Sequence, residues 1–228
     1  MVHSLDFRIS RKNITHQNIT KYLESYGICV LENFFPNDFI TSLFDESQRL
    51  FRDYASNIEV LDKEECSKDE RIFDAQNLSK EIKNFAETTI FKSVAKSFRK
   101  SLKMKTLLNR IVFEPGVIKN SGAGWHRDNH DCQFKVLLYL SDVDCSKGNL
   151  QWITNSSKVH IGYPLPRCSS YNTRFSDQTI SEICKRKECE IINITGHKGT
   201  LIFANTTYIH RGNIIEAGER IALTQYFF

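Results

Sequence analysis

Residues 122–131 read GAGWHRDNHD. Behind two glycines stand Trp125, His126, Arg127, Asp128, His130 and Asp131. In an extended chain, side chains two residues apart point the same way. His126 and Asp128 therefore share a face, and Arg127 points off it. One imidazole nitrogen and one carboxylate oxygen can then reach a single cation. A third ligand has to come from elsewhere. His210, in TYIHRG just after the strand-like GTLIFAN, is the natural choice. Two histidines and one carboxylate on one face of a metal are the donor set of non-haem Fe(II), with positions left open for substrate and oxygen. His130 has the parity of His126 and Asp128, and with Asp131 it competes for the metal. We place it outside the ligand set, because three protein ligands suffice.

Arg220 lies ten residues beyond His210 and opens the run RIALTQYFF. Alternation puts Arg220, Ala222, Thr224 and Tyr226 on one face and Ile221, Leu223, Gln225 and Phe227 on the other. A guanidinium with only Ala222 and Thr224 beside it has room for a planar anion, and its fork suits a carboxylate. A generic surface arginine is the alternative. The tripeptide HRD also occurs in protein-kinase catalytic loops. Here no Asn follows Asp128 by five positions, and neither D-F-G nor a Gly-rich phosphate loop is present.

These residues need a scaffold, and 228 residues allow one large domain. Apolar residues make up 40%, enough for a real core, and only 4 Pro and 10 Gly exclude a low-complexity chain. A net charge of +4 with scattered basic residues gives no nucleic-acid stripe. The densest basic run, Lys185–Lys187, reads as a solvated loop. The 7 cysteines are odd in number and dispersed, with no C-x-x-C pair. That favours free thiols in a reducing compartment over a disulfide scaffold or zinc ribbon. Cys184 and Cys189 are the nearest pair, and we do not read them as metal ligands. No signal-peptide core or long apolar run is seen, so a cytoplasmic location without membrane attachment is expected.

Residues 16–26 put Ile19, Tyr22, Leu23 and Tyr26 at helical spacing, and Gly27 ends that helix. ICVLENFF reads as a strand. PNDFITSLFDESQRLFRDYA predicts an amphipathic helix, with Phe39, Ile40, Leu43, Phe44, Leu50 and Phe51 mostly on one stripe. Residues 57–78 read as charged and irregular. Residues 79–102 predict further helix through Ile82, Phe85, Ile90, Val94 and Phe98. From residue 104 the character changes to short β-rich runs: LLNRIVFEPG, FKVLLYLSDV, NLQWITN, CEIINITG, GTLIFAN and RIALTQYFF. So many short strands need a sandwich or barrel to hide their edges. No linker is apparent. We expect one domain over 1–228, with mostly helical support in 1–103 and a β core in 104–228.

The C-terminal half resembles the Fe(II)/2-oxoglutarate-dependent oxygenases, and among them the phytanoyl-CoA dioxygenase-like superfamily. GWHRD, VLLYLSDVDCSKGNLQWITNSSK and GTLIFANTTYIHRGNIIEAGERIALTQYFF carry the likeness. ITKYLESYGICVLENFFPNDFITSL resembles the family's opening helix, strand and helix, so nearly the whole chain is covered. The resemblance implies a mainly β fold with a helical N-terminal half. That fold is a double-stranded β-helix (jelly-roll, cupin-like) braced by α-helices, with the metal in the mouth between its sheets. It implies that His126, Asp128 and His210 hold Fe(II), and that Arg220 binds the distal carboxylate of 2-oxoglutarate. The implied reaction uses O2, with ascorbate as a support. It decarboxylates 2-oxoglutarate to succinate and hydroxylates an unactivated C–H bond. Related halogenases replace the carboxylate ligand with a small residue, so Asp128 favours hydroxylation.

Lys135 and Tyr139 share one face of the strand after the metal turn. That face reads as a cosubstrate wall, or else as a solvent-facing Lys and a core Tyr. Thr224, on the Arg220 face, is a further cosubstrate contact. Asn109 and Arg110 are candidates to face cosubstrate or substrate. Trp125 is expected to pack the turn, Trp152 to lie in the core, and Arg127 and Arg211 to form surface ion pairs. Two departures stand out. Relatives often carry PGSH where this chain has TNSS at 154–157, and Gly212 replaces a serine that helps hold the cosubstrate in some of them.

No readable motif names the substrate, which is expected to be a small molecule or a carrier-linked one, with loops 55–78 and 154–180 supplying the specific contacts. The oligomeric state is open. Desaturation, epimerisation or cyclisation at the same iron centre is the runner-up. A non-catalytic jelly-roll binding protein and a cupin-like zinc hydrolase are the rivals from other classes.

Overall fold

Alternation along the last strand sets the architecture. In the computed structural model, Ile221, Leu223 and Phe227 are buried against helices, while Arg220, Ala222, Thr224 and Tyr226 face a second sheet. The structure describes residues 7–9, 14–54, 58–61, 66–98, 103–116, 119–120, 124–128, 134–157, 173–187 and 189–227. His130, Asp131 and the segment 158–172 lie outside the described residues.

The chain begins with β1 (Arg8–Ile9), α1 (His16–Tyr26), β2 (Ile28–Leu31) and α2 (Asn37–Asp53). Next come β3 (Glu59–Leu61), β4 (Cys66–Phe73), a 3-10 turn at Ala75–Asn77, α3 (Lys80–Ala86) and α4 (Thr89–Phe98). The C-terminal part holds β5 (Met104–Val112), β6 (Lys119–Asn120), β7 (Trp125–His126), β8 (Phe134–Tyr139) and β9 (Leu150–Ile153). It closes with β10 (Arg174–Phe175), α5 (Asp177–Lys187), β11 (Ile191–Ile194), β12 (Leu201–Asn205), β13 (His210–Gly212) and β14 (Glu219–Phe227).

Among the described residues the large sheet runs β1-β2-β12-β8-β14-β5-β4-β3, with β6 paired to β4. The small sheet runs β10-β7-β13-β9-β11. Helices α1, α2, α3 and α4 cover the outer face of the large sheet through Ile19, Leu43, Phe85 and Phe91, which pack with Val136, Phe203 and Leu223. Its inner face meets the small sheet through Val30, Tyr139, Ile202 and Ala222 against Trp152, Ile194 and Tyr208. This is the expected jelly-roll sandwich braced by helices.

The differences are local. The first 103 residues also carry β1 to β4, so helix is only part of that half. The segment read as irregular, 57–78, contains β3 and β4, which extend the large sheet beyond β5. Its strands escaped notice because charged Asp69, Glu70 and Arg71 break any apolar alternation; each finds a partner by ion pairing instead. The single helical stretch over 79–102 is two helices, divided at Glu87–Thr88. The basic run Lys185–Lys187 ends α5 and is not a loop.

Helix α1 shows how local rules reach the site. Thr15 caps its start by accepting from the Asn18 amide. Gly27 ends it at φ 74°, in the left-handed region that favours glycine. A Cβ there would sit 2.4 Å from the Tyr208 ring. Gly27 is therefore required twice, for its backbone and for the close approach of Tyr208. Its carbonyl accepts from the Asn205 amide, and the carbonyl of Tyr26 accepts from Trp152 Nε1. The helix end is thus moored beneath the turn that leads to His210.

Candidate functional site

Strand register assembles the candidate ligand set. In the small sheet His210 of β13 lies directly across from His126 of β7, and Trp152 of β9 flanks His210 on the other side. Cross-strand neighbours have Cβ atoms about 5 Å apart. The two imidazole centroids are 4.5 Å apart. Asp128, two residues after His126, turns its carboxylate between them: Oδ1 is 3.6 Å from His126 Nε2, and Oδ2 is 3.6 Å from His210 Nε2. The candidate ligand atoms all lie within 4.8 Å of one another, a group able to hold a metal ion.

The other imidazole nitrogens are already engaged. His126 Nδ1 lies 3.0 Å from the carbonyl of Gly124, and His210 Nδ1 lies 2.9 Å from the carbonyl of Tyr208. A carbonyl only accepts, so each Nδ1 donates, and in the neutral ring this leaves the Nε2 lone pair for a cation. Trp152 stacks on the His210 ring at 5.5 Å and on Tyr208 at 5.6 Å, which fixes the imidazole plane. Burial, partly opposed by Asp128, lowers the His210 pKa to about 4, so the ring is neutral at neutral pH. Asp128 is held well below the usual carboxylate range: burial pushes it up, but Lys135, His210 and His126 together overcome that. An anionic carboxylate set between two imidazoles suits a divalent cation. Oδ2 of Asp128 is buried and faces both His210 Nε2 and the Lys135 ammonium.

A cavity of about 200 Å³ runs between the sheets from His126 and His210 to Arg220. Arg220 is half-buried with its Nε enclosed; desolvation lowers its pKa, while Tyr139 and Asp69 act in the opposite sense. Its NH1 donates to the carbonyl of Gly148, NH2 reaches Asn109 Oδ1 at 3.4 Å, and Nε has no partner among the described residues. A half-buried guanidinium with no carboxylate in ion-pair contact among the described residues, and with an enclosed, orphaned Nε, fits an anionic ligand. Gly212 leaves the space above it: a Cβ there would come within 3.8 Å of Arg220 NH1.

Lys135 and Thr224 line this cavity. Lys135 Nζ is 2.5 Å from Asp128 Oδ2. Burial depresses its pKa, but Asp128 and Tyr226 outweigh that and raise it, so the side chain is an ammonium. Tyr139 takes a different part from the one expected. It shares the inner face but does not line the cavity. Its hydroxyl donates to the Ile194 carbonyl and accepts from the Leu150 amide, bracing β11 and β9 against β8. A fully buried phenol is used up more readily by strand backbone than by ligand. Sequence parity gave its face correctly but not its depth.

Arg127 also departs from expectation. It is not on the surface: it is 2% exposed, donates to the Ser156 carbonyl at 2.6 Å and lies over the Phe175 ring. Burial brings its pKa down to about 10, which leaves it cationic. Ser156 in turn donates to the Ile153 carbonyl and accepts from the Ile209 amide. The TNSS segment thus staples the His126–Asp128 turn to the strand end before His210. Asn155 supplies the left-handed residue at φ 51°, where the PGSH pattern has glycine.

Arg211 does form its ion pair, with Asp177 at 3.2 Å, and lies over Trp125. Trp125 packs the turn as expected and donates to Asp177. Asn109 lines the cavity, while Arg110 points away to Glu219. Two lining residues went unnoticed in the sequence: Asp69 and Arg71, paired at 2.6 Å, with Asn109 donating to Asp69. The D-x-R spacing in SKDERIF was the available signal, once that segment is taken as a strand.

No protein-family model matches the chain, and no curated protein matches it in sequence. Solved structures do match in fold. The non-heme alpha ketoglutarate dependent epimerase SnoN from nogalamycin biosynthesis aligns at a TM-score of 0.72 and 13% identity, over 93% of this chain and 82% of that one. The carbocyclase SnoK from the same biosynthesis aligns at 0.69 and 11%, over 95% and 84%. EctD from S. alaskensis, with bound Fe, aligns at 0.65 and 18%, over 94% and 76%. The chain therefore has the jelly-roll fold of the Fe/2-oxoglutarate-dependent enzymes. The two histidines of its cross-strand His/Asp/His cluster and its half-buried Arg220 line one cavity between the sheets of that fold.

Proposed function

We propose that this protein is a non-haem Fe(II)/2-oxoglutarate-dependent dioxygenase acting on a small-molecule or carrier-linked substrate. One observation carries the reading. Two imidazoles and one carboxylate converge beside a cavity that also contains a half-buried guanidinium with no carboxylate ion pair among the described residues. His126, Asp128 and His210 would hold Fe(II). Arg220 would take the distal carboxylate of 2-oxoglutarate, with Thr224 and Lys135 along the wall. When bound, iron and 2-oxoglutarate supply, with O2, the oxidising power to attack an unactivated C–H bond, with succinate as coproduct. The chain's own residues would fix imidazole tautomers and hold the keto acid in the cavity between the sheets. A cupin-like hydrolase would have no use for Arg220.

Hydroxylation is the outcome favoured by a retained carboxylate ligand. The fold likeness to an epimerase and a carbocyclase supports a second outcome at the same centre, oxidation without oxygen insertion. Product mass separates them: a gain of one oxygen, against loss of two hydrogens or no change. The central test is uncoupled turnover. Protein supplied with Fe(II), ascorbate and 2-oxoglutarate in air should release succinate slowly, and His210→Ala should not. Equal background rates in both would favour a non-catalytic binding protein.

A further inference from the structure

Lys135 does more than line a wall. Its ammonium contacts the same Asp128 oxygen that faces His210. Across β14 its register partner is Tyr226, whose ring centroid lies 4.7 Å from Nζ, and across β12 its partner is Ala204. Asp128 is the one carboxylate in ion-pair contact with it among the described residues. Resting on the metal reading above, we infer that Lys135 couples metal binding to anion binding, acting as a stand-in cation for Asp128 and then as a receptor for the anion that accompanies the metal.

The reasoning is electrostatic. Without metal, Lys135 neutralises Asp128 and holds its carboxylate between the two imidazoles. A divalent ion on His126, Asp128 and His210 must share that carboxylate with an ammonium already in contact with it. Like charges a few ångströms apart in a partly desolvated site repel strongly. Arg220 adds a further positive charge in the same cavity. Metal alone is therefore disfavoured, and a dicarboxylate such as 2-oxoglutarate offsets the excess. Each ligand then raises the affinity of the other by the same factor. This makes Lys135 a positioning residue and sets a preference for filling the site with metal and keto acid together. It explains why a lysine is tolerated within reach of three metal-ligand side chains.

The test reads metal binding directly. Co(II) is titrated anaerobically into metal-free wild type, Lys135→Met and Lys135→Arg, with and without 2-oxoglutarate, following the Co(II) ligand-field absorption. Lys135→Met should bind Co(II) alone roughly tenfold or more tightly than wild type. The enhancement by 2-oxoglutarate should shrink by a similar factor. Lys135→Arg keeps the charge and should follow wild type. Equal or weaker Co(II) binding by Lys135→Met, or an undiminished 2-oxoglutarate effect, overturns the inference. If circular dichroism shows Lys135→Met unfolded, Lys135→Gln carries the same criteria. If wild type binds no stoichiometric Co(II), or His210→Ala binds it equally well, the metal reading itself falls. A sound wild-type site with unchanged Lys135 variants sinks only the coupling.

Discussion

At the residue scale, function rests on which atoms are left over after folding. Both candidate histidines spend Nδ1 on a carbonyl of their own strand segment, which leaves Nε2 toward Asp128. Arg220 is left with a buried Nε donor and no carboxylate ion pair among the described residues. Removing it should therefore cost charge-assisted hydrogen bonds to the keto acid, about 1.5–3 kcal/mol. Arg220→Ala is expected to weaken 2-oxoglutarate binding roughly ten- to a hundredfold. Co(II) affinity measured without keto acid should not fall. Titration calorimetry of both ligands checks this, and unchanged 2-oxoglutarate affinity would show that the anion binds elsewhere. Asp128→Ala should lose metal altogether, because it removes the only charged ligand. Metal content after gel filtration reads that outcome, and full retention would mean a different carboxylate serves.

Elements determine how well those atoms are held. The register of β7 on β13 places the two histidines side by side, and β9 supplies Trp152 to lock one of them. Two devices keep these strands in place. The first is the Gly27 bend, against which Tyr208 packs. Gly27→Ala combines a left-handed backbone with a Cβ inside the ring, and should cost about 2 kcal/mol or more of stability. Urea unfolding checks it; a cost below the detection limit would mean Tyr208 is free to move. The second is Ser156, whose hydroxyl joins Ile153 to Ile209. Ser156→Ala leaves the buried Ile209 amide unpaired, at about 1–3 kcal/mol. It should also weaken Co(II) binding, since Ile209 precedes the candidate ligand His210. Loss of stability with unchanged Co(II) affinity would confine Ser156 to a structural role.

For the whole molecule, the sandwich is a preformed frame. Its core of Phe, Leu, Ile and Val on the outer face of the large sheet forms without reference to any ligand. Chelation with EDTA should thus leave the far-ultraviolet circular dichroism unchanged. Adding Co(II) with 2-oxoglutarate should raise Tm by mass action. Collapse of the spectrum on chelation would mean the metal is structural. The same core governs thiol chemistry. Cys29 is fully buried, and burial pushes its pKa up to about 12. Cys145 is exposed. Iodoacetamide at about pH 8, far below that value, should label Cys145 in the native protein and reach Cys29 only after denaturation. Peptide mass mapping distinguishes them, and early labelling of Cys29 would contradict the packing of β2 under the helices.

Much of this was legible one residue at a time. Alternation in RIALTQYFF fixed which face Arg220 shares with Thr224, because a strand has a period of two wherever it lies. The same rule joined His126 to Asp128, and helix periodicity found α1 and α2. What lay beyond the sequence were properties set by partners distant along the chain. Parity gave the face of Tyr139 but not that β9 and β11 consume its hydroxyl. Charge made Arg127 look external, although Ser156 and Phe175 enclose it. The charges of β4 hid a strand whose Asp69 and Arg71 line the cavity. Local spacing determines direction along one element, whereas depth, pairing and leftover hydrogen-bonding capacity depend on what the rest of the chain brings alongside.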